Sequence, residues 1–243
     1  MVKMKLTKRQ KIGASMIGSD ANLSTVGVFQ MIEDAITEFM GELKIDGLTV
    51  MKKYNAFWVF AKTHVKILKK LQWGEECTVT AFISSMSLAK LYEDVKVYDG
   101  QGNAAIYARV ELCALDIATQ RIRKIATVGV SETMLSDEET EEIIFGKFPI
   151  CELPLVEQMK VRSTNIDRFH HTNNVEYIRF IMNTYSTREL ETKDIKEVEI
   201  VYCGQSYEDS VLDVLKAECS NKDLIVMQTD GKPVIKCEIT FSL

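Results

Sequence analysis

The stretch "NIDRFHHTNNVEY", from Asn165 to Tyr177, holds two of the chain's three histidines. Asp167 lies four positions before His171, and Asn173 and Asn174 follow where an apolar helical pattern begins. Asn173 is placed as a helix N-cap, with Glu176 three residues on at the reciprocal spacing of a capping box. A helix starting there directs its unpaired N–H groups and the positive end of its dipole toward His171. That suits a reaction in which negative charge grows on a carbonyl oxygen, polarised by backbone donors while a base activates water. His171 can be that base or an orienting group, and Asp167 can set the imidazole tautomer or hold the water. The same residues also make a plain polar turn into a capped helix. From this stretch alone both readings stand.

The elements around it repeat in one order. "DANLSTVGVFQMIED" from Asp20 overlays "DRFHHTNNVEYIRFI" from Asp167 without a gap, matching Thr25 with Thr172 and Val28 with Val175. This sets Ser24 against His171 and Leu23 against His170. "HVKILKKLQWGEEC" overlays "EVEIVYCGQSYEDS", matching Gln72 with Gln205, and "YDGQGNAAIYARVEL" and "TDGKPVIKCEITF" each place Asp-Gly at a turn before an alternating strand. Three such matches point to an internal duplication. The second copy alone carries the ionisable groups, which fits one active site on one unit, the other serving as scaffold and substrate wall.

Each unit reads strand, helix, then about four strands in a meander. Helices are expected over 25–41 and 174–190. Strands are expected over 56–69, 76–86, 90–98 and 104–117, and again over 195–203, 210–219, 224–229 and 234–242. Val28, Ile32, Ala35, Ile36 and Phe39 share one face of the first helix; Val175, Ile178, Ile181, Met182 and Tyr185 share one of the second. A sheet whose apolar face is covered by one long helix is a hotdog. The expected fold class is therefore α+β, a tandem hotdog with its two sheets joined edge to edge. The first hotdog is expected in 1–128, an acidic linker in 129–149 and the second hotdog in 150–243. "SETMLSDEETEEIIFGKF" carries six acidic residues in its first twelve and reads as a solvated linker with room for a helical turn.

Composition narrows the class further. The 243 residues are 46% apolar and 27% charged, with three Pro and twelve Gly, which is globular. A net charge of −5 gives no general attraction to nucleic acid or to an anionic membrane. Cys77, Cys113, Cys151, Cys203, Cys219 and Cys237 stand singly and read as reduced, buried thiols of a cytoplasmic protein. The start, "MVKMKLTKRQKIGASM", is basic without a signal peptide's apolar run, and no stretch reaches transmembrane length.

The stretch "DRFHHTNNVEY" resembles the D-x-N-x-H-V-N-N-x-x-Y hallmark of the acyl-acyl carrier protein thioesterase family: Asp167, His171, Asn173, Asn174 and Tyr177 match. "FWVFAKTHVKILKKLQWGEECTVTAFI" and "VYDGQGNAAIYARVELCALDIATQRIRKI" are similar to strands of that family's first hotdog, so the likeness spans nearly the whole chain. It implies hydrolysis of a fatty acyl thioester on acyl carrier protein, without cofactor or metal. Two positions depart from the pattern. The family's Asn two residues before the His is Phe169 here. The Glu of its Y-x-x-E-C-G-x-D-S-V-L pattern falls on Gln205 in "YCGQSYEDSVL". Gln orients a water through its carbonyl but takes no proton from it. Phe169 lacks a carboxamide, and an analogous oxyanion donor is worth roughly 10²–10³ in rate.

Three arrangements follow from that resemblance. His171 with Asp167 carries the base role while Gln205 positions water; or a slipped register brings in Glu208 or Asp209; or the chain binds acyl groups and hydrolyses them poorly. Phe169, Asn173 and Asn174 fall in the substrate and oxyanion region. Phe29, Met31, Phe39, Met40 and Trp58 are tunnel walls or ordinary core. An acidic carrier protein would dock on basic residues, with Lys62, Lys66, Lys69 and Lys70 clustered in sequence and Arg162, Arg168 and Arg179 flanking the motif. Coenzyme A thioesters and a non-catalytic acyl-binding role are the alternatives, and both a monomer and a homodimer satisfy the sheet edges.

Overall fold

The computed structural model describes residues 5–149 and 152–242. Alternating segments form ten strands in one antiparallel sheet. The first half supplies β1 (Leu6–Lys11), β2 (Ala56–Ile67), β3 (Glu76–Met86), β4 (Leu91–Asp99) and β5 (Ala104–Asp116). The second supplies β6 (Leu155–Lys160), β7 (Ile195–Tyr202), β8 (Val211–Glu218), β9 (Lys222–Thr229) and β10 (Lys232–Phe241). Their order is β1-β3-β4-β5-β2-β7-β10-β9-β8-β6, so the halves meet where β2 pairs with β7, Lys62 opposite Val201 through Lys66 opposite Glu197. The chain is a tandem hotdog.

Helix α1 (Thr25–Glu42) covers the first half-sheet. Ser24 caps it by accepting a hydrogen bond from Gly27 N at 3.0 Å, and Val28, Ile32, Ala35, Ile36 and Phe39 bury its apolar face. A short α2 (Gly47–Tyr54), which the apolar periodicity did not announce, follows under an Asp46 cap. The second covering helix is not the continuous 174–190 expected. It divides into α3 (Asn174–Asn183) and α4 (Thr187–Thr192), because Ser186 and Glu189 close a reciprocal capping box that starts a new helix. Tyr185, at the break, turns inward and donates its hydroxyl hydrogen to Asp223.

Backbone hydrogen bonds give the true register of the duplication. In the first half Ile12 N donates to Glu75 O, Gly74 N to Ile12 O and Leu23 N to Leu71 O; in the second Val161 N donates to Ser210 O, Asp209 N to Val161 O and Thr172 N to Ser206 O. The caps Ser24 and Asn173 coincide in the same way. The ungapped overlays are therefore two positions off. Asn22, not Ser24, stands where His171 stands; Ala21 matches His170, and both have positive φ. Lys70, not Gln72, stands at Gln205. A slip of two keeps every strand residue on its face, so alternation does not detect it. The Asp-Gly turns also differ. Asp230 and Gly231 both take positive φ in a tight hairpin, whereas in the first half it is Gly102 that does so, with the Asp99 carboxylate accepting from Gln101 N and Asn103 N.

The acidic segment is more than a solvated linker. After a 3-10 turn at Glu132–Met134 it runs over the sheet face opposite the helices. Arg109 Nη1 donates to Ile143 O while its other nitrogens grip Asp94 at 2.7 and 2.8 Å; Lys66 Nζ donates to Glu142 O; Gly146 N donates to Glu199. His64 lies beneath, within 3.2 Å of Ile144 O and 3.0 Å of Glu197. This outer face is charged, so a strand-like peptide satisfies it better than an apolar layer would. Cys77 and Cys237 are buried as expected, but Cys203 and Cys219 are exposed, and Cys151 lies outside the described residues. Among the described residues no helix is long and apolar enough to cross a membrane.

Gly27 is where α1 touches its own lead-in: a Cβ there would run into the Met16 carbonyl oxygen and the Leu23 side chain. Gly27→Ala is expected to destabilise the fold by about 1–3 kcal/mol through overpacking, despite alanine's better helix propensity, as read by denaturant unfolding.

Candidate active site

The motif forms a tight loop closed on itself. Asp167 N donates to His171 O at 2.8 Å, and Asp167 Oδ1 accepts from Phe169 N at 2.8 Å and His171 N at 3.1 Å. One carboxylate oxygen is thus spent on backbone, which turns the chain through His170 at φ 64°. Asp167 Oδ1 thereby holds the loop closed. The half-buried His171 ring packs edge-on against Tyr207, with centroids 5.4 Å apart.

Asn173 is the cap of α3, accepting from Val175 N at 2.8 Å. The reciprocal half of the expected capping box does not form. Asn173 N donates to Asn165 O, and the Glu176 carboxylate instead accepts from Asn165 Nδ2 at 2.7 Å and from Arg179. Asn174 opens the helix.

A buried knot ties this loop to the one that follows β7. Ser206 is 0% exposed; its Oγ lies 2.7 Å from Thr172 Oγ1 and 2.8 Å from the Tyr177 hydroxyl, which accepts from Ser206 N. Thr172 N and Oγ1 both donate to Ser206 O. Tyr177, matched only as part of a motif, is therefore the fastener. It sets Tyr207 against His171, with the exposed Gln205 immediately before the knot. Phe169 reaches the other way: its ring lies over Gly47 at the start of α2, under the Arg168 guanidinium. Glu208 is exposed, as Gln205 is, and Asp209 pairs with Lys160 at 2.7 Å.

A small cleft of about 10 Å³ opens between α1 and α3, lined by Phe29, Ile32, Glu33, Phe60, Thr63, Asn174, Val175 and Tyr202. Glu33 escaped the sequence reading because it sits in the first half, on a helix read only for its apolar face. Burial, with added repulsion from Asp34 and Asp167, pushes its carboxyl up to about 7. A carboxyl poised there is suited to proton transfer near neutral pH.

The duplication provides an internal control. At the repeat-equivalent position, the start of α1, lies a cavity of about 160 Å³ lined by Thr25, Val26, Ile67, Lys70, Met182 and Ile195 among others. There Met182 replaces Glu33, Asn22 replaces His171, Gly18 replaces Asp167, and Lys70 is paired with Asp20 at 3.6 Å. Of the two equivalent clefts, the one at the start of α3 has Glu33 in its wall, and the other has Asp20, Lys70 and Lys193.

The expected basic cluster is dispersed. Lys62 lies over the Phe145 ring and Lys66 under the acidic segment, while Lys69 is bound to Asp99 at 2.7 Å and Lys70 to Asp20. Of the candidate docking residues, Arg162, Arg168 and Arg179 remain near the motif, the last paired with Glu176.

Comparison with known proteins accounts for both halves. Residues 3–132 match the acyl-ACP thioesterase N-terminal domain and residues 152–242 the acyl-ACP thioesterase C-terminal domain. The chain belongs to the acyl-ACP thioesterase family. It is 23% identical over 184 residues to the chloroplastic oleoyl-acyl carrier protein thioesterase 1 of Arabidopsis thaliana, covering 71% of this chain and 51% of that protein. It is 23% identical over 214 residues to a dodecanoyl-acyl-carrier-protein hydrolase of Cinnamomum camphora, covering 82% and 56%. The chain thus spans about half the length of the curated relatives it matches. Its fold superposes on the acyl-ACP thioesterase of Bacteroides thetaiotaomicron with a TM-score of 0.91 at 16% identity, covering 98% of each chain. On the 12:0-ACP thioesterase of Umbellularia californica the TM-score is 0.83 at 18% identity, covering 100% and 98%.

Ser206→Ala strips the Thr172 and Tyr177 hydroxyls of their shared partner in a dry site. It is expected to cost about 1–3 kcal/mol in urea unfolding. Tyr177→Phe should cost at least as much, because it leaves the buried Ser206 N–H without its acceptor.

Proposed function

We propose that the protein hydrolyses fatty acyl thioesters of acyl carrier protein to the free acid and the carrier thiol. Family membership supports this, and one observation carries it: of two repeat-equivalent clefts, only the one at the start of α3 combines Glu33 with the loop of Asp167 and His171. In this reading residues 150–243 supply the motif, and residues 1–128 supply scaffold, acyl-pocket wall and Glu33.

Water bound in the cleft attacks the thioester carbonyl carbon. Its proton passes to a base, the carbonyl oxygen gains the negative charge, and collapse expels the thiolate, which takes up a proton. His171, on the loop closed by Asp167, and Glu33, on the opposite wall, are the groups that can accept that proton. Gln205 accepts a hydrogen of the same water through its carbonyl. Asn174 and the start of α3 favour the developing oxyanion. Phe169 adds surface where the pattern has a carboxamide and contributes no donor. The carrier's acidic surface meets Arg162 and Arg168. Gln205 and Phe169 also favour a second reading, an acyl-binding module with weak hydrolysis.

Free-thiol release from acyl-acyl carrier protein and acyl-coenzyme A tests the two readings. We expect carrier-linked turnover that falls about 10²–10⁴-fold in His171→Ala and in Glu33→Gln. Glu33 gives up its proton as pH rises through about 7, so kcat/KM should climb across that pH, and Glu33→Gln should flatten the climb. A limb surviving in Glu33→Gln and lost in His171→Ala would assign it to the imidazole. Thiol release no greater than in His171→Ala on any substrate would leave the binding module.

A further inference from the structure

Glu93 is a carboxyl in the wrong place. It lies on β4, where Tyr92 and Asp94 point to the charged outer face, Tyr92 donating to Glu111 and Asp94 gripping Arg109. Alternation sends Glu93 to the opposite face, among Leu91, Val95 and Val97 and beneath α1. The residue is 0% exposed, and neither carboxyl oxygen has a hydrogen-bond partner among the described residues. A buried polar atom without a partner costs about 1–3 kcal/mol, and a carboxyl presents two such atoms. Hydrophobic packing would be served better by leucine.

Its position along the sheet suggests what the partner is. Thr63 pairs with Val110 across β2 and β5, and Val110 pairs with Glu93 across β5 and β4. These three side chains form one row on the inner face, with Ile83 of β3 at its end. Thr63 is a wall of the cleft that holds Glu33 and Asn174. Strands lie about 4.8 Å apart, so the row leads roughly 10 Å from the cleft to Glu93 over the apolar Val110. Val110, between the cleft wall and Glu93, is fully buried, so a chain entering at the thioester and lying across the strands reaches the unpartnered acid by displacing packed core side chains.

We propose that Glu93 is a specificity-determining residue, which hydrogen-bonds a hydroxyl group carried part-way along the acyl chain, so that the preferred substrate is a hydroxyacyl thioester. This rests on the thioesterase reading. The acid donates to the hydroxyl oxygen and accepts from its hydrogen, using both orphaned atoms. Burial holds the Glu93 carboxyl well above the usual carboxylate range, with Asp94 adding repulsion, which keeps it in the donating form.

The test is a panel of acyl thioesters of one length, unsubstituted or with a hydroxyl moved along the chain, assayed by thiol release. Binding of the corresponding free acids is measured by calorimetry. Wild type is expected to favour one hydroxyl position by roughly 10- to 100-fold in kcat/KM over the unsubstituted chain. Glu93→Leu should erase that preference while hydrolysing the unsubstituted chain at least as well, and Glu93→Gln, which keeps a donor and an acceptor, should retain part of it. Melting curves guard against a merely structural effect. A carboxyl whose pKa folding raises above its ordinary 4.5 loses stability as pH rises beyond that value, so Glu93→Leu should melt higher than wild type near neutral pH. Equal preference ratios in wild type and Glu93→Leu would overturn the proposal. Should wild type hydrolyse nothing, the thioesterase reading fails on its own, and calorimetry still decides: hydroxyl-dependent affinity lost in Glu93→Leu upholds Glu93, and its absence refutes it.

Discussion

The pairing of β2 with β7 is the constraint from which the rest follows. It makes two five-stranded sheets into one, and because each half carries its helix on the same face, α1 and α3 come to lie against each other. The cleft that holds Glu33 lies at that seam. Its walls are drawn from both halves, Glu33 and Thr63 from the first and Asn174 and Tyr202 from the second. A half-chain folded alone would expose the β2 or β7 edge and would own neither complete wall.

Near-two-fold symmetry produces two such clefts at that one seam, and their side chains differ. Where one has Asn22, Met182 and a Lys70–Asp20 pair, the other has His171, Glu33 and a neutral Gln205.

Strands and the helix faces were legible in the sequence because a half-buried sheet and its covering helix impose periods of two and 3.6, and those periods survive any substitution that keeps polarity. Register was less so. The match of Gln72 to Gln205 preserved alternation perfectly and was still two residues wrong; only backbone hydrogen bonds such as Leu23 N to Leu71 O distinguish it. The break of the second helix was signalled by the Ser186–Glu189 spacing but masked by the apolar positions on either side. In the site, the turn from Asp167 to Asn174 could be read, since its residues are local. Glu33 and the fastening of Tyr177 to Ser206 could not, for they depend on contacts across 134 and 29 positions of chain.

Glu93 shows the opposite case, a position where the pattern itself carried the signal. In "KLYEDVKVY" the residues Leu91, Val95 and Val97 define the buried face, and alternation puts Glu93 between them. A fold selected for stability alone removes such a group, because its oxygens are satisfied in water and not in the core. Conflicts between local pattern and burial collect where binding requires them. Here the conflict lies in the same row of side chains as the wall of the cleft, in the half of the molecule that lacks the motif. On the proposed reading the two halves divide the work: the second turns the loop of Asp167 and His171, and the first supplies Glu33 at the cleft and the row from Thr63 to Glu93.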